Sequence, residues 1–71
     1  MYHEDCEIGM RVRFYTPNNP LIHGETGIVV ARPDREEALV RFEVYKDKYD
    51  AYADTRTGCI TIDPTSLAEV V

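Results

Sequence analysis

Apolar and polar residues alternate most cleanly along Met10-Arg11-Val12-Arg13-Phe14-Tyr15. Met10, Val12 and Phe14 fall on one side and Arg11, Arg13 and Tyr15 on the other, the period of two that marks a half-buried strand. Gly9 precedes this segment, at a point where the chain can turn in. Thr16-Pro17-Asn18-Asn19-Pro20 follows as a loop, because prolines and asparagines crowd it. Gly24-Glu25-Thr26-Gly27 then turns into a second strand, Thr26–Ala31, in which Ile28 and Val30 share a face and Val29 takes the other. Arg32-Pro33-Asp34-Arg35-Glu36 reads as a polar turn. Ala38–Tyr45 is a third strand, with Val40, Phe42 and Val44 inward and Arg41 and Glu43 outward.

The stretch Lys46–Thr57 is polar and reads as a long hairpin loop with room for one helical turn. Tyr45, at the end of the third strand, recurs with Tyr49 and Tyr52 at i, i+4 and i+7, the spacing of one helical face. Cys59-Ile60-Thr61-Ile62 is a fourth short strand. In Asp63-Pro64-Thr65-Ser66 an acidic cap precedes a proline at the first turn position, which predicts a single 3₁₀ or α turn. Leu67 anchors the chain back into the core, and Ala68–Val71 closes as a fifth strand. The expected core is Val12, Phe14, Ile28, Val30, Val40, Phe42, Val44, Ile60, Ile62, Leu67 and Val70.

At 71 residues the chain makes one domain, of a size that buries only about 60% of the surface its unfolded form exposes. The expected division is a flexible acidic N-terminus over residues 1–8 and a folded unit over 9–71. Apolar residues make up 44% and charged residues 30%, a globular composition rather than a disordered or membrane-spanning one. The acidic start of the chain has no apolar stretch resembling a secretory signal, so a cytoplasmic protein is expected. Thirteen acids against eight bases give a net charge of −5, which disfavours a nucleic-acid backbone or an anionic lipid surface and favours solubility and a partner with a basic surface.

The pattern Gly9…Val12-Arg13…Gly24-x-x-Gly27-x-Val29…Leu39-Val40-Arg41-Phe42…Leu67…Val70 resembles small bacterial and phage SH3-like barrels. The resemblance implies an all-β, five-stranded SH3-like barrel with a short 3₁₀ turn before the last strand. The glycine-bracketed turn before a valine strand is similar to KOW-type modules. Val12-Arg13-Phe14 and Val40-Arg41-Phe42 also resemble the PsaE-type small subunit of photosystem I, whose barrel docks other subunits and ferredoxin. The specific family is not identified by these residues.

Each group of chemically capable residues has a plain structural alternative. His3-x-x-Cys6 with His23 and Cys59 has the ligand types of a zinc site. Only one pair is closely spaced, so surface histidines and unpaired thiols are the expectation, with no metal and no cofactor. A Cys6–Cys59 disulfide is disfavoured in a reducing compartment. Asp47, Asp50 and Asp54 lack the spacing and the glycine of a calcium loop. His23 beside Glu25 could form an acid–base pair, yet no nucleophile motif or phosphate loop accompanies it, and the chain is not expected to be an enzyme.

Two groups remain as candidate binding residues. Tyr15, Tyr45, Tyr49 and Tyr52 lie in or beside polar loops and form the expected partner surface, since tyrosine is enriched at interface hot spots. Capping of the barrel ends is the structural alternative. Arg11, Arg13 and Arg41 form a stripe on outward strand positions and are candidate anion-binding residues. The expected function is a non-catalytic protein-binding module, an accessory or regulatory subunit of an intracellular partner, existing as a monomer or weak homodimer. The alternatives are a KOW-like nucleic-acid-associated module and an acidic inhibitor of a basic nucleic-acid-binding protein.

Overall fold

The computed structural model describes residues 1–71. Five strands form one antiparallel sheet: β1 (Arg11–Phe14), β2 (Thr26–Asp34), β3 (Glu37–Phe42), β4 (Cys59–Ile62) and β5 (Leu67–Glu69). Their order is β4-β3-β2-β1-β5, so the last strand lies beside the first and β4 and β5 form the two edges. Three single 3₁₀ turns complete the fold: η1 (His3–Asp5), η2 (Asp47–Tyr49) and η3 (Pro64–Ser66). No helix is long and apolar enough to cross a membrane.

Alternation in β1 works as its sequence dictates: Val12 and Phe14 are buried, while Arg11 and Arg13 are exposed. Val40 and Phe42 of β3, Ile60 of β4 and Leu67 of β5 join them in the core. The η3 turn is held by its cap, with the Asp63 carboxylate accepting from the Thr65 N–H at 2.9 Å and Pro64 at the first turn position.

The second strand departs from expectation. Val29 is the fully buried residue, and Ile28 and Val30 are only half-buried. Gly27 sets this parity. It pairs with both Val12 and Phe42, and a Cβ placed on it would lie 2.6 Å from the Arg41 carbonyl oxygen and 2.7 Å from Val40 Cγ1. Only a residue without a side chain lets β3 approach that closely. With Gly27 inward, Val29 must be inward too. Register shifts follow, one between Val29 and Ala31 and another between Ala31 and Asp34, and such bulges bend the strand.

β2 continues to Asp34, so the expected five-residue turn shrinks to Arg35-Glu36, with the Asp34 carboxylate accepting from the Glu36 N–H at 3.1 Å. Pro33 is tolerated inside the strand because the β1 ladder covers only Thr26–Ile28 and ends where Val29 bonds to Gly9 and Met10. β3 in turn stops at Phe42, and the expected core residue Val44 is 67% exposed. Ile62 and Val70 are half-buried rather than central. Ile22, Ala38 and Cys6 belong to the core instead.

Residues 1–8 lie against the sheet. Cys6 is buried, and Arg32 in the far half of β2 reaches back to the segment. Its Nη1 donates to the carbonyls of His3, at 3.0 Å, and Cys6. The same guanidinium bonds to Glu37 O at 3.0 Å and Arg35 O at 2.5 Å. His3 Nε2 lies 2.9 Å from Asp63 Oδ1, tying η1 to the cap of η3. Cys6 and Cys59 are both buried and free.

Candidate functional site

β1 and β3 run in the same direction, so the β1–β2 loop (residues 15–25) and the β3–β4 loop (residues 43–58) leave one end of the sheet together. Glu25 links them. Its carboxylate accepts from Lys46 at 3.4 Å and from Lys48 at 3.5 Å.

The β3–β4 loop folds over a ring. Tyr49 is completely buried, stacked on Phe42 with centroids 4.0 Å apart and planes at 10°. Phe42 in turn stacks on Phe14 at 5.1 Å. Tyr45 meets Tyr49 edge-on at 5.7 Å, and Lys48 Nζ lies 5.6 Å from the Tyr49 ring centre. The Tyr49 hydroxyl is buried without a hydrogen bond of normal geometry, although the Glu25 carboxylate faces it. Burial, and then this carboxylate, push the phenol pKa up. The nearby hydroxyl, followed by Lys46 and Lys48, holds the Glu25 carboxyl below the usual carboxylate range.

Tyr49 is therefore core, and the expectation that it faces a partner is corrected. The helical spacing of the three tyrosines does not mark it, since the segment forms only a 3₁₀ turn and Tyr45 and Tyr52 stay exposed. Tyr45 is partly exposed and donates to Asp50 Oδ1 at 2.5 Å. That bond, together with burial and the surrounding aspartates, pushes its phenol up to about 12. Tyr15 is 64% exposed and meets His23 edge-on at 5.4 Å. His23 Nδ1 accepts from the Thr16 N–H at 3.0 Å. Tyr52 is exposed and has no ring partner. The four tyrosines thus do not form one patch.

The exposed large apolar residues nevertheless gather at this end. Tyr15 and Leu21 lie on the β1–β2 loop and Val44, Tyr45 and Tyr52 on the β3–β4 loop. The other three, Tyr2, Ile8 and Val71, belong to the N- and C-terminal segments.

The three arginines share the outer face of the sheet. Arg11 pairs across β2 at Ile28, and Ile28 pairs with Arg41. Arg13 pairs with Thr26, whose carbonyl accepts from the Glu43 N–H at 3.1 Å. Arg11 donates through both Nε and Nη2 to the Glu43 carboxylate, which holds that carboxyl below its ordinary range.

Other candidate groups are engaged separately. His3 bonds to Asp63 and His23 to the Thr16 amide, while Glu25 turns to the lysines, so His23 and Glu25 do not pair. Asp50 holds Tyr45, and Asp54 accepts from the Arg56 N–H at 2.9 Å. No three His, Cys, Asp or Glu side chains converge so as to hold a metal ion. The surface carries no pocket.

Sequence reasoning set Glu25 beside His23 and Arg32 in a turn, and missed that these two charged residues fasten the two irregular segments. No local motif marks these ties, because Lys46 and Lys48 lie 21 and 23 positions from Glu25, and His3 and Cys6 lie 29 and 26 positions from Arg32. Comparison with protein-family profiles, curated proteins and solved structures finds no match to this sequence.

Proposed function

We propose that this chain is a non-catalytic protein-binding module that serves as an accessory or regulatory subunit of an intracellular partner. One observation carries the reading. Five exposed large apolar side chains stand on the two loops that Glu25 joins. Exposed apolar side chains gathered on one part of a small monomer mark interaction surfaces, and tyrosines there contribute large contact area at low entropic cost. Buried Tyr49 supports the loop that presents three of them, so the surface is held in shape before a partner arrives. The strand order, with a 3₁₀ turn leading into a last strand beside the first, supports an SH3-like barrel as the scaffold.

The test is affinity capture from lysate of the source organism, comparing the native chain with a Tyr15→Ser/Val44→Ser/Tyr52→Ser triple variant. These side chains are exposed, so the triple variant keeps its fold by circular dichroism. The expected result is one dominant protein held at moderate salt by the native chain and lost by the variant. Equal retention by both, or nucleic acid that leaves as salt rises, overturns the reading.

A further inference from the structure

The protein has eight basic residues among thirteen acids, and six of the eight are engaged. Arg11 grips Glu43, Lys46 and Lys48 share Glu25, Arg56 pairs with Asp54 at 3.5 Å, Arg35 lies 3.8 Å from Glu4, and Arg32 is bonded to backbone carbonyls. Arg13 and Arg41 alone touch neither a carboxylate nor a carbonyl oxygen. With twelve acids available beyond Glu43, two unpaired guanidinium groups are not a shortage of partners. Both stand on the outer face of the central strands, where the register places them diagonally across Thr26 and Ile28.

Arg11, Arg13, Arg41 and Glu43 together carry a net charge of +2. The other five bases and twelve acids carry −7, which sums to the −5 of the whole chain. A basic face thus sits on an acidic body measuring 31 × 24 × 21 Å. Charge at that spacing acts within about one Debye length, ~8 to 10 Å at physiological salt. A long polyanion laid across the face would extend over a body whose other ionisable side chains sum to −7. A short segment carrying adjacent carboxylates would not. The half-buried aliphatic surface of Ile28, Leu39 and Val70 lies among these arginines, and it suits the apolar residues of a peptide rather than a sugar–phosphate chain. Guanidinium groups bind carboxylates through paired, parallel hydrogen bonds.

We infer that the outer face of β1, β2 and β3 is a docking surface for a short acidic segment of a partner protein, with Arg13 and Arg41 as its carboxylate receptors. The strand register fixes their spacing, and Arg11 on the same face is already held by Glu43. This surface rests on unpaired charge rather than on the exposed tyrosines, and it stands whether or not the loop end binds a partner.

The probe is a capped hexapeptide alternating glutamate and leucine, titrated into the isotope-labelled protein. Its glutamine counterpart and a hexathymidylate oligonucleotide serve as controls. The glutamate peptide is expected to shift the Nε–Hε signals of Arg13 and Arg41 in a saturable, salt-sensitive way, and the glutamine peptide to leave them unmoved. An Arg13→Gln/Arg41→Gln variant, whose folding is checked by its amide spectrum, weakens binding at least about fivefold, the scale of two exposed ion pairs. An Arg56→Gln variant does not. No shift at these two arginines, equal binding by the double variant, or saturation by the oligonucleotide in preference to the peptide would each overturn the assignment.

Discussion

At one end of the sheet a polar loop is held by a buried ring, Tyr49, and by the carboxylate of Glu25. At the other the first residues of the chain are held by a buried thiol, Cys6, and by the guanidinium of Arg32. Both segments are rich in charge, and each is fastened by one apolar anchor and one ionic side chain. The division of labour differs. Tyr49 stacks on Phe42, which stacks on Phe14, so the loop end draws its stability from aromatic area. The lysines around Glu25 are exposed and screened by solvent. Arg32 instead places five N–H donors among four carbonyl oxygens that would otherwise need water. A small apolar anchor suffices there because the guanidinium supplies the bonds.

The sharpest way to break the comparison is to remove the ring. Tyr49→Ala should cost about 3–5 kcal/mol, as truncation of a buried aromatic does, enough to leave so small a domain largely unfolded in a denaturant titration. Tyr49→Phe should leave stability unchanged or raise it by up to about 1 kcal/mol, because the hydroxyl has no hydrogen bond to lose. A large loss in the Phe variant would show that the bond to Glu25 is made in solution.

The strap end should respond less, and to geometry rather than to charge. Arg32→Ala should cost about 1.5–3 kcal/mol, the range for hydrogen bonds to a charged group. Arg32→Lys should lose most of the same amount, since an ammonium cannot reach carbonyls on several sides at once. Burial pushes the Cys6 thiol up and keeps it unreactive. Faster modification of Cys6 in either variant would report the strap opening. An Arg32→Lys protein as stable as the parent would place the contribution in charge alone.

The smallest effects come from pH and separate the two ends by chemistry. The Glu25 carboxyl titrates below its unfolded value of about 4.3. Its contribution is present above that pH and is lost as pH falls through the lower folded value. The bonds that Arg32 makes involve no carboxylate, so acid should weaken protection of the Ala53 N–H, which bonds to Tyr49 O, before that of the Gly9 N–H, which bonds to Val29 O. In alkali the sign reverses. Tyr45 is pushed up to about 12 from an unfolded value of about 10. Its contribution is intact below about 10 and is lost as pH rises toward 12, which the absorbance of tyrosinate would follow.

Strand positions were legible where one residue type alternates with another. Arg11-Val12-Arg13-Phe14 states its inward face without ambiguity, and Asp63-Pro64 announces its turn. Ile28-Val29-Val30 does not, because three β-branched residues in a row have no preferred parity, and the choice was made by the approach of β3 to Gly27. Val44 extends an alternating pattern past the point where pairing ends, since periodicity carries no signal of where a partner strand stops. Of the candidate site, Tyr15, Tyr45 and Tyr52 were legible as exposed aromatics because their neighbours are polar. Tyr49 has equally polar neighbours but lies over Phe42, a contact between loop and sheet that no local window contains.

The four carbonyls around Arg32 also differ in when they can be reached. Arg35 and Glu37 lie three and five positions along the chain, so these bonds can form as soon as the β2–β3 hairpin closes, an event on the microsecond scale. His3 and Cys6 lie 29 and 26 positions back and must wait for a much larger loop to close. One side chain therefore belongs to two stages of folding. It braces the hairpin early through Nε and Nη2, and Nη1 becomes the dock on which the beginning of the chain lands later.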